Sequence, residues 1–287
     1  METTRQSLIE LMRFHCTVPK QKTPIPGLTL FRSDAPTEPV RSLYDPRLCV
    51  VLQGRKELIL EREHIEIGPS DYLVVVLDLP VTARVAEANP HRPHYAITLD
   101  LDPAIIAELV ADKSERRSAT KTKGAAIAGL TADILEPLER LVRLLDRPKD
   151  IETLAPLVQR ELFYRLIQGG LGDMVVESGL GSSNLSRIAR TTAWIKANFD
   201  QPVDVATLAD IAGMSQTSYY RAFKAATAMS PLQFRTRLRL HEARRRLQLG
   251  IDKIGSIAFA VGYENQSQFN REYRKLFGRS PGADLSR

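Results

Sequence analysis

Three sets of side chains in this sequence could do chemistry, and each points to a different task. The largest set recurs. Gln216, Thr217, Tyr220, Arg221 and Lys224 are matched fifty residues later by Gln266, Ser267, Asn270, Arg271 and Arg274. Amide and guanidinium groups can hydrogen-bond a planar polar partner through two bonds at once, and a threonine methyl offers apolar contact. Such a set suits reading a surface rather than transforming it. The second set is histidine. His64 stands alone in its turn, and His91 and His94 are split by Arg92-Pro93, so the close imidazole pair from which a metal centre is built is missing. No Ser/His/Asp order, phosphate loop or metal-binding helix motif occurs elsewhere, so no catalysis, cofactor or metal is expected. The third set is Cys16 and Cys49, too few for a disulfide framework and suited to a reducing cytosol. Among Leu48, Val50, Val51 and Leu52, Cys49 reads as a buried, inert thiol; the alternative is a redox or electrophile sensor.

The recurring set needs two like-built helices to display it. Residues 208–215 (LADIAGMS) lead into SYYRAFKAATAMSP, which ends at Pro231; residues 257–264 (IAFAVGYE) lead into SQFNREYRKLFGRSP, which ends at Pro281. In each copy a small Ala (Ala209, Ala258) allows a close helix crossing, and a Gly (Gly213, Gly262) ends the first helix where a positive φ is wanted. The next helix buries one stripe, Tyr219 and Phe223 in one copy and Phe269, Tyr273 and Leu276 in the other. Ser230-Pro231 and Ser280-Pro281 then start further helices with an N-cap and a proline at the first position. The joining helix carries Arg235, Arg237, Arg239, Arg244, Arg245 and Arg246, which are either a solvated face or phosphate ligands in part.

Residues 29–101 read as short strands at roughly ten-residue spacing, the pattern of an antiparallel sandwich or barrel. Asp102-Pro103 opens a helix, and apolar residues at intervals of three and four predict two more over 131–146 and 152–168. These two helices suit dimerisation, or else pack on their own chain. Residues 179–184 (GLGSSN) read as a flexible linker. The expected division is 1–175, a linker at 176–184, and 185–287. Charge follows it. Residues 185–287 hold 17 Lys+Arg against 8 Asp+Glu, a net +9, and leave residues 1–184 at −3. A basic unit beside a slightly acidic one suggests a polyanionic partner. The longest apolar stretch, Tyr72 to Val81, is too short to span a membrane and is broken by Asp78, and the first residues lack the apolar core of a signal peptide.

Residues 185–285 resemble the DNA-binding domain of AraC/XylS transcriptional regulators, and GYENQSQFNREYRKLFGRSP (262–281) is close to the family signature. Ala228 departs from it, standing where the family usually has Gly. RLCVVLQGRKELIL…YLVVVLDLP resembles the cupin-like effector domain of an AraC subgroup. The resemblance implies a mixed fold: an N-terminal cupin-like antiparallel β-barrel with helices, and a C-terminal all-α double helix-turn-helix domain. It also implies that the second helix of each unit enters the major groove of double-stranded DNA. The ten residues of the recurring set are then the DNA-binding candidates, with a surface salt bridge as the other reading for Arg221 and Arg271. A cytoplasmic homodimer controlled by a small-molecule effector and working with RNA polymerase is the expectation, an activator with repression left open. Strand alternation offers Cys49, Gln53, His94 and Thr98 as effector contacts, against simple filling of the barrel. The alternative function is a metal-dependent cupin enzyme with an accessory helical domain.

Overall fold

The computed structural model describes residues 1–60, 63–111, 123–250 and 252–285. The chain opens with helix α1 (Glu2–His15) and continues through strands β1 (Lys20–Lys22), β2 (Leu28–Ser33), β3 (Val40–Tyr44), β4 (Arg47–Gln53), β5 (Arg55–Leu60), β6 (Glu63–Ile67), β7 (Asp71–Val75), β8 (Leu79–Glu87) and β9 (His94–Asp100). Helix α2 (Pro103–Val110), strand β10 (Ala125–Gly129) and helices α3 (Ala132–Arg143), α4 (Ile151–Gln168) and α5 (Gly172–Gly179) follow. The rest is helical: α6 (Asn184–Ala197), α7 (Val205–Ala212), α8 (Gln216–Thr227), α9 (Pro231–Leu249), α10 (Ile254–Ala260), α11 (Gln266–Phe277) and α12 (Pro281–Leu285).

The strands form two antiparallel sheets, in the orders β1-β2-β9-β4-β7-β10 and β3-β8-β5-β6. Strand β4 reads LCVVL without alternation because both of its faces are covered, one by the opposite sheet and one by helices. Strand β5 has one covered face, with Leu58 and Leu60 inward, while Glu57 points out to the guanidinium of Arg84, 2.7 and 2.9 Å away. Helix α1, which the sequence reading left unassigned, buries Leu8, Ile9 and Met12, and its Ser7 hydroxyl donates to Glu139 on α3 across 2.6 Å. Helix α3 spends Ile134, Leu135, Leu138, Leu141 and Val142 on its own chain, whereas α4 leaves Leu154, Leu157 and Tyr164 exposed. Asp102 caps α2, its carboxylate accepting from the amides of Ala104 and Ile105 at 2.8 and 3.3 Å.

The segment 176–184, expected as a flexible linker, is taken up by the end of α5 and by the cap of α6. Helix α5 occupies it up to Gly179, where a β-carbon would lie 2.8 Å from an Ile106 methyl. The Ser183 hydroxyl donates to the Glu177 carbonyl and also accepts the amide of Ser186, capping α6. Gly179 permits close packing on α2, whereas Gly181 and Ser182 are exposed.

The two halves are tied together at several points. Lys196 on α6 reaches across to Asp45 and Asp78, with Asp78 2.7 Å away. The Gly124 amide donates to the Ala226 carbonyl across 2.8 Å. Arg41 of β3 lies over the ring of Phe277, 5.7 Å from its centre, and α9 packs on β3 and β8.

Candidate nucleic-acid interface

The C-terminal half builds the same scaffold twice. In the first unit α7 ends at Gly213, with φ +61°, and α8 begins after Ser215, whose hydroxyl accepts the Ser218 amide at 3.3 Å. In the second, Gly262 has φ +85°, and Asn265 caps α11 by accepting the amides of Ser267 and Gln268 at 2.7 and 3.3 Å. The repeat offset changes from 49 to 50 because the turn between Gly262 and Asn265 is one residue longer than that between Gly213 and Ser215. Tyr219, Phe223, Ala226 and Thr227 form the buried stripe of α8; Phe269, Tyr273 and Phe277 form that of α11, with Leu276 half-buried. The α8 helix ends at Ala228 with φ +61°, the one non-glycine residue with positive φ among those described, where α11 has Gly278. The departure at Ala228 therefore keeps the geometry and adds backbone strain.

Those stripes decide what the opposite faces present. All ten residues of the recurring set, Gln216, Thr217, Tyr220, Arg221 and Lys224 on α8 and Gln266, Ser267, Asn270, Arg271 and Arg274 on α11, are exposed. None of their side chains hydrogen-bonds or ion-pairs with another described residue. Arg221 and Arg271 thus lack the surface salt bridge that was their other reading. Each face is a run at i, i+1, i+4, i+5 and i+8, a single stripe along its helix.

The arginines of α9 behave differently. Arg245 and Arg246 both bond Glu242, and the hydrogen bond from Arg245 leads in holding that carboxyl below its ordinary range. Arg244 pairs with Asp284 at 3.2 Å and lies 4.8 Å from the centre of the Phe277 ring. Arg239 donates to the carbonyls of Phe199, Asp200 and Gln201 at 2.6, 3.1 and 3.2 Å, fastening α9 to the loop before α7, while Arg235 reaches Gln201. Arg235, Arg239 and Arg244 thus tie α9 to its neighbours, whereas Arg245 and Arg246 are paired within the helix. Sequence reading missed this role because backbone carbonyls leave no mark in a sequence.

In the N-terminal half, Cys49 pairs with Thr98 and Val51 with Ala96 across β4 and β9, so Cys49, Thr98 and His94 share the face between the sheets. A register shift between Val51 and Gln53 pairs Gln53 with Tyr95, which breaks the alternation that had grouped it with Cys49. The Gln53 amide donates instead to the Pro93 carbonyl at 2.7 Å. Cys49 and Cys16 are both buried and free, and burial pushes the Cys16 thiol up to about 11.

Two imidazoles give the chain an acid-sensitive stability. His94 is pushed down to about 4 by burial and then by the Lys56 ammonium. His241, on α9, is pushed down to about 4 by burial and then by Arg237, Arg41 and Arg244. Both stay neutral in the folded chain at pH values where the unfolded chain protonates them, near 6.5. Stability present above that pH is therefore expected to fall as the pH drops towards 4, by about 3 kcal/mol per histidine at most. Urea unfolding at several pH values checks this, and His241→Gln should make the fall shallower.

Comparison with known proteins agrees with this architecture. The family model for the AraC-type transcriptional regulator N-terminus matches residues 24–174, and a helix-turn-helix domain model matches 208–287. The HTH-type transcriptional activator RhaS of Pectobacterium carotovorum subsp. carotovorum is 38% identical over 88 residues, covering 31% of this chain and 32% of that protein. RhaS of Escherichia fergusonii is 28% identical over 149 residues, 51% of this chain and 52% of its own. The chain thus spans about half or less of the length of these curated relatives. Among solved structures, a single-residue variant of ToxT from Vibrio cholerae, in its apo form, has a TM-score of 0.57 at 10% identity, covering 93% of this chain and 98% of that one. ToxT bound to (E)-4-(8-methylnaphthalen-1-yl)but-3-enoic acid has a TM-score of 0.58 at 12% identity, covering 90% and 97%. With its N-terminal domain and its two helix-turn-helix units both accounted for, the chain belongs to the AraC-type family of transcriptional regulators and carries that family's DNA-binding domain.

Proposed function

We propose that the protein is a cytoplasmic, sequence-specific activator that reads DNA with the exposed faces of α8 and α11 and takes its signal through the two-sheet N-terminal domain. The observation that carries this is the pair of matching stripes, ten exposed residues with no partner among those described. Glutamine and asparagine suit adenine, arginine suits guanine, and Thr217 can meet a thymine methyl. Activation, and with it contact with RNA polymerase, follows the RhaS relatives, which are named activators. A small-molecule effector is supported by the ToxT structure, which holds a bound small molecule. Homodimerisation falls to the exposed face of α4, where Leu154, Leu157 and Tyr164 lie on one stripe, since α3 is used up internally.

Salt dependence tests the DNA-facing surface. Each phosphate contact adds about −0.9 to the slope of log affinity against log salt concentration. Lys224→Ala and Arg274→Ala should each make the slope shallower by about that amount. Arg245→Ala, which removes a residue bonded to Glu242, should leave it unchanged. Unchanged slopes for Lys224→Ala and Arg274→Ala would remove these faces from the interface.

A further inference from the structure

A lysine stands where the strand pattern calls for an apolar side chain. Lys56, Leu58 and Leu60 alternate along β5, and Leu58 and Leu60 are buried on the face turned to the other sheet. The Lys56 Nζ lies 5.8 Å from the centre of the Phe31 ring and 5.3 Å from that of Tyr44. Among the described residues no carboxylate pairs with it. Glu57, its neighbour, is on the outer face with Arg84. Aromatic faces offset part of the cost of withdrawing an ammonium from water, but they leave its charge without a counter-ion.

The surroundings point the same way. Phe31 pairs with Ala96, and Ala96 with Val51, giving an apolar wall beside the ammonium. His94, on the same face of β9 as Ala96, is 2% exposed, and its Nδ1 is buried without a hydrogen-bond partner. Lys20 also lies over Phe31, 5.9 Å from its centre. An ammonium with no carboxylate partner among the described residues, the unpartnered His94 Nδ1 and an apolar wall therefore meet between the two sheets. We propose that this is the effector site and that it takes a small monocarboxylate: the carboxylate on Lys56, the apolar body against the partly exposed ring of Phe31, and a polar group of the ligand towards His94 Nδ1.

The assignment rests on the reading of the N-terminal domain as the receiver of a signal, and the test separates the two. Calorimetric titration of the full chain with 3-phenylpropanoate and octanoate, each against its neutral amide, reads the site directly. The carboxylates should bind at least tenfold more tightly than the amides. Lys56→Met should lose that preference while unfolding at or above the wild-type temperature, since it removes an uncompensated charge. Equal binding of acid and amide, no binding of either acid, or unaltered carboxylate binding by Lys56→Met would overturn the proposal. The acid-against-amide comparison needs only the wild-type chain, so it decides even if the variant does not fold. DNA affinity measured with and without bound 3-phenylpropanoate then addresses control. Carboxylate binding that leaves DNA affinity unchanged upholds the site and overturns effector control instead.

Discussion

Gly262→Ala should disable the second helix-turn-helix unit, whereas the equivalent change in the first, Gly213→Ala, should be mild. The two glycines occupy matching positions and both have positive φ, +85° and +61°. Their surroundings differ. A β-carbon on Gly262 would lie 2.1 Å from the Asp200 carbonyl oxygen and 2.7 Å from its carbon, a backbone obstacle held in place by Arg239. A β-carbon on Gly213 meets nothing within 4 Å. Gly213→Ala therefore carries only the left-handed penalty, about 1–2 kcal/mol. Gly262→Ala adds displacement of a packed loop, and about 3–5 kcal/mol is expected in total. The second unit has its own core, from Leu240 and Ala243 to Tyr273 and Phe277, so the damage should stay local. Trp194, the single tryptophan, sits on α6 in the other core region and serves as an internal control. The expected result is loss of DNA affinity with a nearly unchanged Trp194 unfolding transition. Similar effects from the two substitutions would contradict the account of the second turn.

Lys196→Met should weaken the joint between the halves, while Asp45→Asn should barely affect it. Asp78 is only 6% exposed, and burial raises its carboxyl pKa against the opposing hydrogen bond from Lys196. Burial also acts on Asp45, but there the Lys196 ammonium prevails and the carboxyl is lowered. Removing the cation from a fully buried pair costs about 3–5 kcal/mol, because the remaining charge is stranded. Here the Lys196 side chain is 42% exposed, so solvent screening reduces the expected loss to about 2 kcal/mol. Asp45→Asn leaves Asp78 with its partner and should cost less than about 1 kcal/mol. Chemical unfolding followed at Trp194, two residues from Lys196, measures both. Equal losses from the two variants would show that Asp78 is not the residue that Lys196 sustains.

What the sequence made legible was whatever repeats or alternates. The double unit could be read because both copies keep glycine at the turn, aromatic residues at the buried stripe and Ser-Pro at the next cap, and the exposed set followed from that spacing. Strands β4, β5, β7, β8 and β9 showed as apolar runs. Strand β6 (EHIEI) and β10 (AAIAG) did not, since one is largely exposed and the other is built mainly of alanine and held by pairing with β7. At 176–184 the small residues gave no sign of the last turn of α5 or of the Ser183 cap, because neither carries an apolar period. The antiparallel strands were legible, but the choice between sandwich and barrel was not, because closure depends on edge pairing, which local pattern does not encode. Lys56 left a signal, a charge in an alternating apolar row, but its meaning needed Phe31 and Tyr44 from distant strands. The tie from Lys196 to Asp45 and Asp78 spans more than a hundred residues of sequence and left no local trace.

The central claim is that α8 and α11 each read their own stretch of DNA. The most direct test is selection of preferred sequences from random duplex DNA by the full chain and by its Arg221→Ala and Arg271→Ala variants. Wild type should select two conserved segments about one helical turn apart, roughly 34 Å. Each variant should lose about 1–3 kcal/mol of affinity and relax preference at one base pair, Arg221→Ala in one segment and Arg271→Ala in the other. Selected sequences and affinities that stay the same in both variants would contradict the claim.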